Sequence, residues 1–335
     1  MKKLMILLCT ALGWCAVQAQ TPVLRFNKEG KIKIAQFTDV HLDLSTPVRC
    51  AEAEKTIAQM YYIFDTEHPD FVMFTGDVVT GAPAADGWHR VLAAVAKYRL
   101  PFCVVLGNHD AEQDISRERI AQIVTSYPTS LNTRKSGELD DLVIEVKGPA
   151  SAPDRTEALF YCLDSHADSP IEGIGDYAWF TPEQVLWYRN RSAEYTAGNG
   201  GKPLPALAFF HIALPEYVAA WRNPDNTHIG RAAEDECPGA LNSGMFAAMR
   251  ESGDVMGMFV GHDHDIDYVV SEKGIALGYG RFSGDNTTYN NLRSGVRLLV
   301  LTRGERGFET WIHERDGRIV DHVFFRGGKV SKELK

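Results

Sequence analysis

Five short apolar segments of the chain each run directly into a cluster of aspartate, asparagine or histidine. Apolar segments bounded by glycine or aspartate are typical of buried β-strands. Because ligands bind outside the carboxyl ends of strands in open α/β sheets, we expect these clusters to meet at one edge. The segments are residues 31–38 before Asp39-Val40-His41, 71–75 before Gly76-Asp77, 102–106 before Gly107-Asn108-His109-Asp110, 207–210 before His211, and 255–260 before Gly261-His262-Asp263-His264.

Between these segments the pattern changes to helical spacing. Residues 51–68 carry apolar residues at that spacing and are followed by Pro69, which ends a helix. Thr181 before Pro182 is a typical N-cap followed by a first helical residue. The predicted helices cover residues 51–68, 88–98, 115–124 and 181–195, and a short one follows Asn242-Ser243-Gly244 through 249. Alternating strands and helices favour an α/β fold with a central sheet.

The remaining segments are richer in strands. Residues 142–146 and 158–163 are predicted to pair with each other. From Gly274 onward, four strand-like segments are separated by turns such as Arg315-Asp316-Gly317, which favours antiparallel hairpins. These four segments are residues 275–279, 296–301, 308–313 and 319–325. They predict a second sheet packed on the first, and we expect residues 20–335 to form a single domain.

The first nineteen residues have the pattern of a secretory signal peptide. A basic start at Lys2 and Lys3 precedes an apolar stretch over 4–17, and Val17-Gln18-Ala19 offers small residues for cleavage. The stretch is short for a membrane span, although an uncleaved anchor is the alternative. We therefore expect an exported protein, periplasmic or secreted, with no membrane span after cleavage.

Composition narrows the range of partners. The formal net charge of the whole sequence is −9, and loss of Lys2 and Lys3 makes it more acidic. An acidic surface repels a phosphate backbone, which argues against general nucleic-acid binding. Export would permit disulfides, and Cys50 and Cys237, in polar segments, are candidates for a pair. Whether they pair is left open by the sequence.

The residue types in the five clusters are those of a metal site. Carboxylate and imidazole groups suit first-row metals such as Mn, Fe and Zn. A carboxylate can bridge two cations, and two cations can clamp a phosphate and activate water. Each cluster alone is compatible with a turn or a capping residue. Five of them in order, each after a strand-like segment, predict a site for two divalent or trivalent metal ions.

In this order, the clusters resemble the motifs of the calcineurin-like metallophosphoesterase superfamily over residues 39–264. The resemblance implies a β-sandwich of two mixed sheets flanked by helices. It also implies that His109 acts near the leaving-group oxygen and that Asp110 orients this histidine. The metal ligands implied are Asp39, His41 and His264 for one ion, Asn108, His211 and His262 for the other, and Asp77 as the bridge.

A looser resemblance concerns the subfamily. Purple acid phosphatases have a tyrosine ligand three residues after the bridging aspartate, where this chain has Thr80, so their purple colour is not expected. Residues 211–217, 242–244 and 279–281 resemble a purple-acid-phosphatase-like group that lacks this tyrosine. Asn108 and Arg281 are predicted to contact the substrate, because arginine pairs well with phosphate oxygens. The alternative for Arg281 is a turn residue with a surface salt bridge.

The implied reaction is hydrolysis of a phosphate ester by metal-bound hydroxide. The substrate would be a small phosphate ester or a phosphorylated molecule, with a phosphomonoester as the first choice. A phosphodiesterase or nucleotide hydrolase is the alternative. The proline-rich segment 215–241, which we expect to be a loop, would decide between a closed pocket and an open groove. A non-catalytic metal-binding adaptor on the same fold also stays open.

Overall fold

The structure is a computed structural model that describes residues 22–286 and 291–333. The predicted signal peptide, residues 1–19, lies outside these ranges. None of the described helices is long and apolar enough to cross a membrane.

Thirteen strands and six helices lie within the described ranges. The strands are β1 (Lys31–Phe37), β2 (Phe71–Thr75), β3 (Phe102–Val105), β4 (Leu142–Lys147), β5 (Thr156–Cys162), β6 (Ala206–Phe209), β7 (Val255–Val260), β8 (Val269–Glu272), β9 (Ile275–Tyr279), β10 (Gly295–Thr302), β11 (Gly307–Glu314), β12 (Ile319–Arg326) and β13 (Lys329–Ser331). The helices are α1 (Pro47–Glu67), α2 (Ala84–Lys97), α3 (Arg117–Ser126), α4 (Pro182–Gly198), α5 (Pro215–Arg222) and α6 (Met245–Ser252).

The strands form two mixed sheets. The first has the order β13-β12-β11-β10-β1-β2-β3, and the second has the order β4-β5-β6-β7-β9-β8. Strands β1, β2 and β3 run parallel to one another, as do β5, β6, β7 and β9. The two sheets pack face to face, and the helices cover their outer faces, so the predicted fold class is confirmed.

Side-chain alternation on the central strands explains this layering. In β1, Ile32 and Ile34 enter the core between the sheets, whereas Ala35 and Phe37 enter the core beneath α1, α2 and α3. Strand β6 alternates in the same way between the inter-sheet core and a third core beneath α4, α5 and α6. Because both of its faces are buried, β6 is continuously apolar, whereas β1 also contains Lys31, Lys33 and Gln36 among its apolar residues.

Two details of the sequence-based fold are wrong. The late strands β10, β11 and β12 do not start a separate sheet, since β10 pairs antiparallel with β1 and so extends the first sheet. The second sheet is built instead around the parallel strands β5, β6, β7 and β9. The segment 215–241, expected to be a loop, begins with helix α5.

The predicted N-cap at Thr181 is present, and its side chain accepts a hydrogen bond from the backbone N–H of Gln184.

Candidate metal centre

The carboxyl ends of the parallel strands from both sheets meet at one edge of the sandwich. The loops after β1, β2 and β3 carry Asp39 and His41, Asp77, and Asn108. The loops after β6 and β7 carry the other three predicted ligands, His211, His262 and His264. The sheets join here, because His211 Nδ1 lies 2.7 Å from the carbonyl oxygen of Thr75 at the end of β2.

The side chains form two groups that share one carboxylate. The first group comprises Asp39, His41, Asp77 and His264, and the second comprises Asp77, His211 and His262. Within each group, the candidate ligand atoms lie within 4.8 Å of one another. Asn108 joins the second group, since its Oδ1 is 3.1 Å from His211 Nε2. All seven residues predicted as ligands are thus brought together, with Asp77 at the position of a bridge.

Unpaired polar atoms inside the cluster show that these residues fit metal ions. His41 Nε2, Asp77 Oδ2 and His262 Nε2 are buried and have no hydrogen-bond partner in the described part of the chain. Asp77 Oδ2 lies 3.6 Å from His41 Nε2 and 3.3 Å from His211 Nε2. Leaving a buried polar atom unpaired costs about 1–3 kcal/mol, so three such atoms in one cluster are unfavourable without a ligand. Cations among these lone pairs would remove that cost.

The protonation of His41, His262 and Asp77 agrees with such a role. At His211 burial lowers the pKa, but Asp77 outweighs this and raises it to about 10. Burial lowers the pKa of His41 and of His262 to about 3, so both rings stay neutral and keep a lone pair. Burial raises the pKa of Asp77, but the neighbouring His211 and His41 outweigh this and hold it below its usual range. Asp77 is therefore an ionised carboxylate. Neutral imidazole and ionised carboxylate are the forms that bind metal.

The backbone of the cluster is locally strained. Asp39, His41, Asp77 and His262 have φ angles of 49°, 44°, 52° and 79°, in the left-handed region that non-glycine residues rarely adopt. Strain of this kind gathers at functional sites, where the surrounding structure holds it in place. It turns the four side chains toward one another immediately after their strands end.

Two motif glycines are required because other groups approach them closely. A Cβ atom on Gly76, which has a φ of 90°, would lie 2.3 Å from Nδ1 of His211. A Cβ atom on Gly107 would lie 2.1 Å from Oδ1 of Asp77. Any side chain at these positions would displace a candidate ligand, which explains why glycine precedes both Asp77 and Asn108.

Asp110 does not orient His109, contrary to the prediction from resemblance. Its fully buried carboxylate accepts hydrogen bonds from the backbone N–H groups of Asp77, Val78, Val79 and Gly107, at 2.8–3.1 Å. Burial and the charge of Asp77 raise the pKa of Asp110 to about 6. The side chain is saturated by these donors, so it holds the turn after β2 instead.

Glu112, which sequence reasoning missed, is the partner of His109. Its Oε2 lies 2.6 Å from Nδ1 of His109, and both side chains are partly exposed. Burial lowers the pKa of His109, but Asp77 and Glu112 outweigh this and raise it above its ordinary value. The His109 ring lies 5.9 Å from the His41 ring, at the rim of the cluster. In the sequence, this pair was indicated by the position of Glu112 three residues after His109.

Arg281 is placed inside the protein rather than at a substrate. Its side chain has no exposed surface, and its guanidinium forms ion pairs with Asp267 and Glu314 and donates a hydrogen bond to the carbonyl of Arg293. Both the predicted phosphate contact and its alternative, a surface salt bridge, are wrong. The reason is that two buried carboxylates take up its donors.

The segment after α5 is bound along the site rather than free to swing. Backbone or side-chain hydrogen bonds connect it to the stretch that begins at His262 and His264. The bonded pairs are Ile229 to Val269, Arg231 to Asp267, Ala233 to Asp265, and Cys237 to Asp263. Cys237 is exposed and Cys50 is partly buried, and both are free thiols in the structure. The candidate pairing of these cysteines is therefore not formed.

One further side chain at the cluster belongs to no motif. The ring of Tyr177 packs edge-on against the ring of His262, with centroids 4.3 Å apart and an interplanar angle of 87°. Tyr177 follows β5 in an irregular segment, so neither periodicity nor strand position indicated it in the sequence.

Comparison with known proteins identifies the family of the chain. The chain matches the model of the calcineurin-like phosphoesterase family over residues 32–265, and it belongs to this family. It is 29% identical over 303 residues to "Probable inactive purple acid phosphatase 29" of Arabidopsis thaliana, covering 82% of this chain and 77% of that protein. It is 28% identical over 322 residues to phosphatase DCR2 of Saccharomyces cerevisiae, covering 86% of this chain and 54% of the yeast protein.

The fold also matches a solved structure. A dimetal phosphatase from Danio rerio superposes with a TM-score of 0.59 at 14% identity, covering 88% of this chain and 98% of that one. Identity this low supports the shared fold only. The predicted membership of the calcineurin-like superfamily is confirmed by the family match.

Proposed function

We propose that the chain is a hydrolase that uses two metal ions to cleave phosphate esters, with phosphomonoesters as its substrates. The observation that carries this proposal is the pair of ligand groups sharing Asp77, with unpaired lone pairs inside both. Asp39, His41 and His264 would hold one ion, Asn108, His211 and His262 the other, and Asp77 would contact both. Mn, Fe and Zn suit this set of donors.

Bound metal ions would neutralise charge on the phosphate oxygens and activate water for attack at phosphorus. Because water is the nucleophile, no residue of the chain needs to be phosphorylated. His109 lies at the exposed rim, paired with Glu112, and would donate a proton to the leaving-group oxygen. The backbone N–H of His109 donates to Asp77 Oδ1 at 2.9 Å, which couples the position of this acid to the metal ligand.

Burial of the ligands supports a monoester. Six of the seven ligand residues are buried, and the segment after α5 is bound along one side. A terminal phosphate group reaches buried ligands more readily than the internal phosphate of a diester. We propose a phosphodiester or nucleotide substrate only as the second candidate, which the similarity to a protein named "Probable cyclic nucleotide phosphodiesterase" favours, at 22% identity over 218 residues.

We propose in addition that residues 1–19 are a cleaved export signal and that 20–335 form one domain. The basic start, the apolar stretch and the small residue Ala19 support cleavage after residue 19. N-terminal sequencing of the protein recovered outside the cytoplasm tests this. An intact Met1 on all recovered protein would contradict it.

The decisive experiment for the proposed function is a substrate panel on the metal-loaded chain. Aryl phosphate monoesters and diesters are supplied with Mn, Fe, Zn or Mg, and His109→Ala is run beside the wild type. We expect monoester turnover that His109→Ala lowers about 10²–10⁴-fold while its metal content is unchanged. A loaded wild type with no turnover of any ester would instead identify a metal-binding adaptor.

A further inference from the structure

Tyr177 and His109 lie beside different ligand groups of the metal cluster. The ring of His109 is 5.9 Å from that of His41, a member of the first ligand group. The ring of Tyr177 is 4.3 Å from that of His262, a member of the second group. Tyr177 is partly exposed, so its side chain is in contact with both solvent and a ligand of the cluster. A phosphate over the shared Asp77 would therefore lie between these two side chains.

The backbone holds Tyr177 in place from two directions. Tyr177 forms an antiparallel bridge with Asp168, and its carbonyl accepts a hydrogen bond of 3.0 Å from the N–H of Ala240. A Cβ atom on Gly175 would lie 2.5 Å from the Cβ of Ala240, so the two segments are in close contact. A side chain supported in this way can act as a fixed contact for a ligand.

The hydroxyl of Tyr177 makes no hydrogen bond with another residue in the described part of the chain. The hydroxyl of a partly exposed tyrosine is a neutral donor for an anionic ligand. Arg281, the residue expected to serve the phosphate, is buried and already paired with Asp267 and Glu314. A donor for the phosphate must therefore come from elsewhere.

We propose that the Tyr177 hydroxyl donates a hydrogen bond to the phosphate group of the substrate, from beside the second ligand group. This inference rests on the proposed function, because it assumes that a phosphate binds over the metal cluster. In this arrangement Tyr177 binds the substrate through its hydroxyl. The packing of its ring on His262 is a separate contact. Substitution by phenylalanine separates the two, since it removes the hydroxyl and keeps the ring.

The test is calorimetric titration of inorganic phosphate into the metal-loaded full chain. Wild type is compared with Tyr177→Phe and with the matched control Tyr62→Phe, which alters a partly exposed tyrosine on α1. A hydrogen bond to a charged group predicts about tenfold weaker phosphate binding for Tyr177→Phe, with unchanged metal content, and no change for Tyr62→Phe. Phosphate affinity of Tyr177→Phe within twofold of wild type would overturn the inference. Loss of metal from Tyr177→Phe would overturn it too, since the hydroxyl would then support metal binding rather than contact the phosphate.

Turnover distinguishes failure of this inference from failure of the proposed function. With aryl phosphate, Tyr177→Phe is expected to raise KM about as much as it weakens phosphate binding. If wild type binds phosphate through Tyr177 but turns over no ester, the proposed function fails and the inference stands. If wild type hydrolyses the ester and Tyr177→Phe binds phosphate equally well, the inference alone fails.

Discussion

The carboxylate of Asp110 accepts a 3.0 Å hydrogen bond from the backbone N–H of Asp77, the residue shared by both ligand groups. Three further backbone donors converge on the same carboxylate, two from the turn after β2 and one from Gly107. Asp110 thus fixes the turn that presents Asp77 and connects it to the loop that presents Asn108. Its influence on the cluster passes through the backbone.

Asp110→Asn is expected to destabilise the protein by about 2 kcal/mol, because an amide group turns hydrogens toward N–H donors that need an acceptor. Denaturant unfolding of the metal-free protein measures this. Asp114→Asn is the matched control, since Asp114 accepts one backbone hydrogen bond, from Ala84. Equal losses of stability in the two variants would contradict the role assigned to Asp110.

Asp77→Asn is expected to release metal from both ligand groups, because an amide is neutral and cannot bridge two cations. His262→Ala, which alters only the second group, should reduce the metal content by about one ion per chain. Elemental analysis after dialysis gives the stoichiometry of each variant. Retention of two ions by Asp77→Asn would rule out the bridge.

Glu112→Gln is expected to lower kcat about tenfold through His109, with little change in stability. The side chains of Glu112 and His109 are 47% and 40% exposed, and pairs this exposed add little to folding. Turnover is measured in both single variants and in the double variant with His109→Ala. If Glu112 acts only through His109, the double variant should equal His109→Ala; additive losses would refute this coupling.

Arg281→Met is expected to destabilise the protein by about 3–5 kcal/mol, because it leaves Asp267 buried without its ion-pair partner and leaves Glu314 with Arg318 alone. Arg281→Lys keeps the charge and provides a milder variant if the first does not fold. The KM for the ester should be unchanged in whichever variant folds. A large rise in KM at unchanged stability would indicate instead that Arg281 contacts the phosphate.

Glu67 provides a pH-dependent contribution to stability far from the cluster. Burial raises the pKa of Glu67, but hydrogen bonds from Lys33, Trp311 and His313 outweigh this and hold it below its ordinary value. A depressed pKa in the folded state contributes stability above the unfolded value of about 4.3, and this is lost as the pH falls through the folded value. Glu67→Gln should therefore cost about 1 kcal/mol at pH 7 and progressively less below pH 4, as measured by urea unfolding. A cost that is independent of pH would contradict this.

The sequence predicted those features that depend on strand ends. Buried strands are mostly apolar, so Asp39, Asp77 and His211 could be placed at one edge before any contact was known. Side-chain partners could not be predicted in the same way. Asp110 and Glu112 both lie close to His109 in the chain, and the direction of each side chain in the turn decides which one contacts it.

Contacts between residues that are distant in the chain also could not be predicted from the sequence. Arg281 is paired by Asp267 and Glu314, and it looked available because nothing local marks those carboxylates as its neighbours. The pairing of β10 with β1 joins segments more than 250 residues apart, so the late strands were assigned to the wrong sheet. Tyr177 reaches the cluster through a bridge to Asp168 and a contact with Ala240, neither of which has a sequence pattern.

The left-handed backbone at Asp39, His41, Asp77 and His262 has an evolutionary consequence. Each such residue costs on the order of 1 kcal/mol relative to glycine, which adopts this conformation freely. In a lineage that no longer needed the cluster, glycine at any of the four positions would make folding more favourable, and mutation would move the chain in that direction. Selection for a bound ion opposes this trend. It keeps acidic and imidazole side chains at positions where the backbone conformation alone favours glycine.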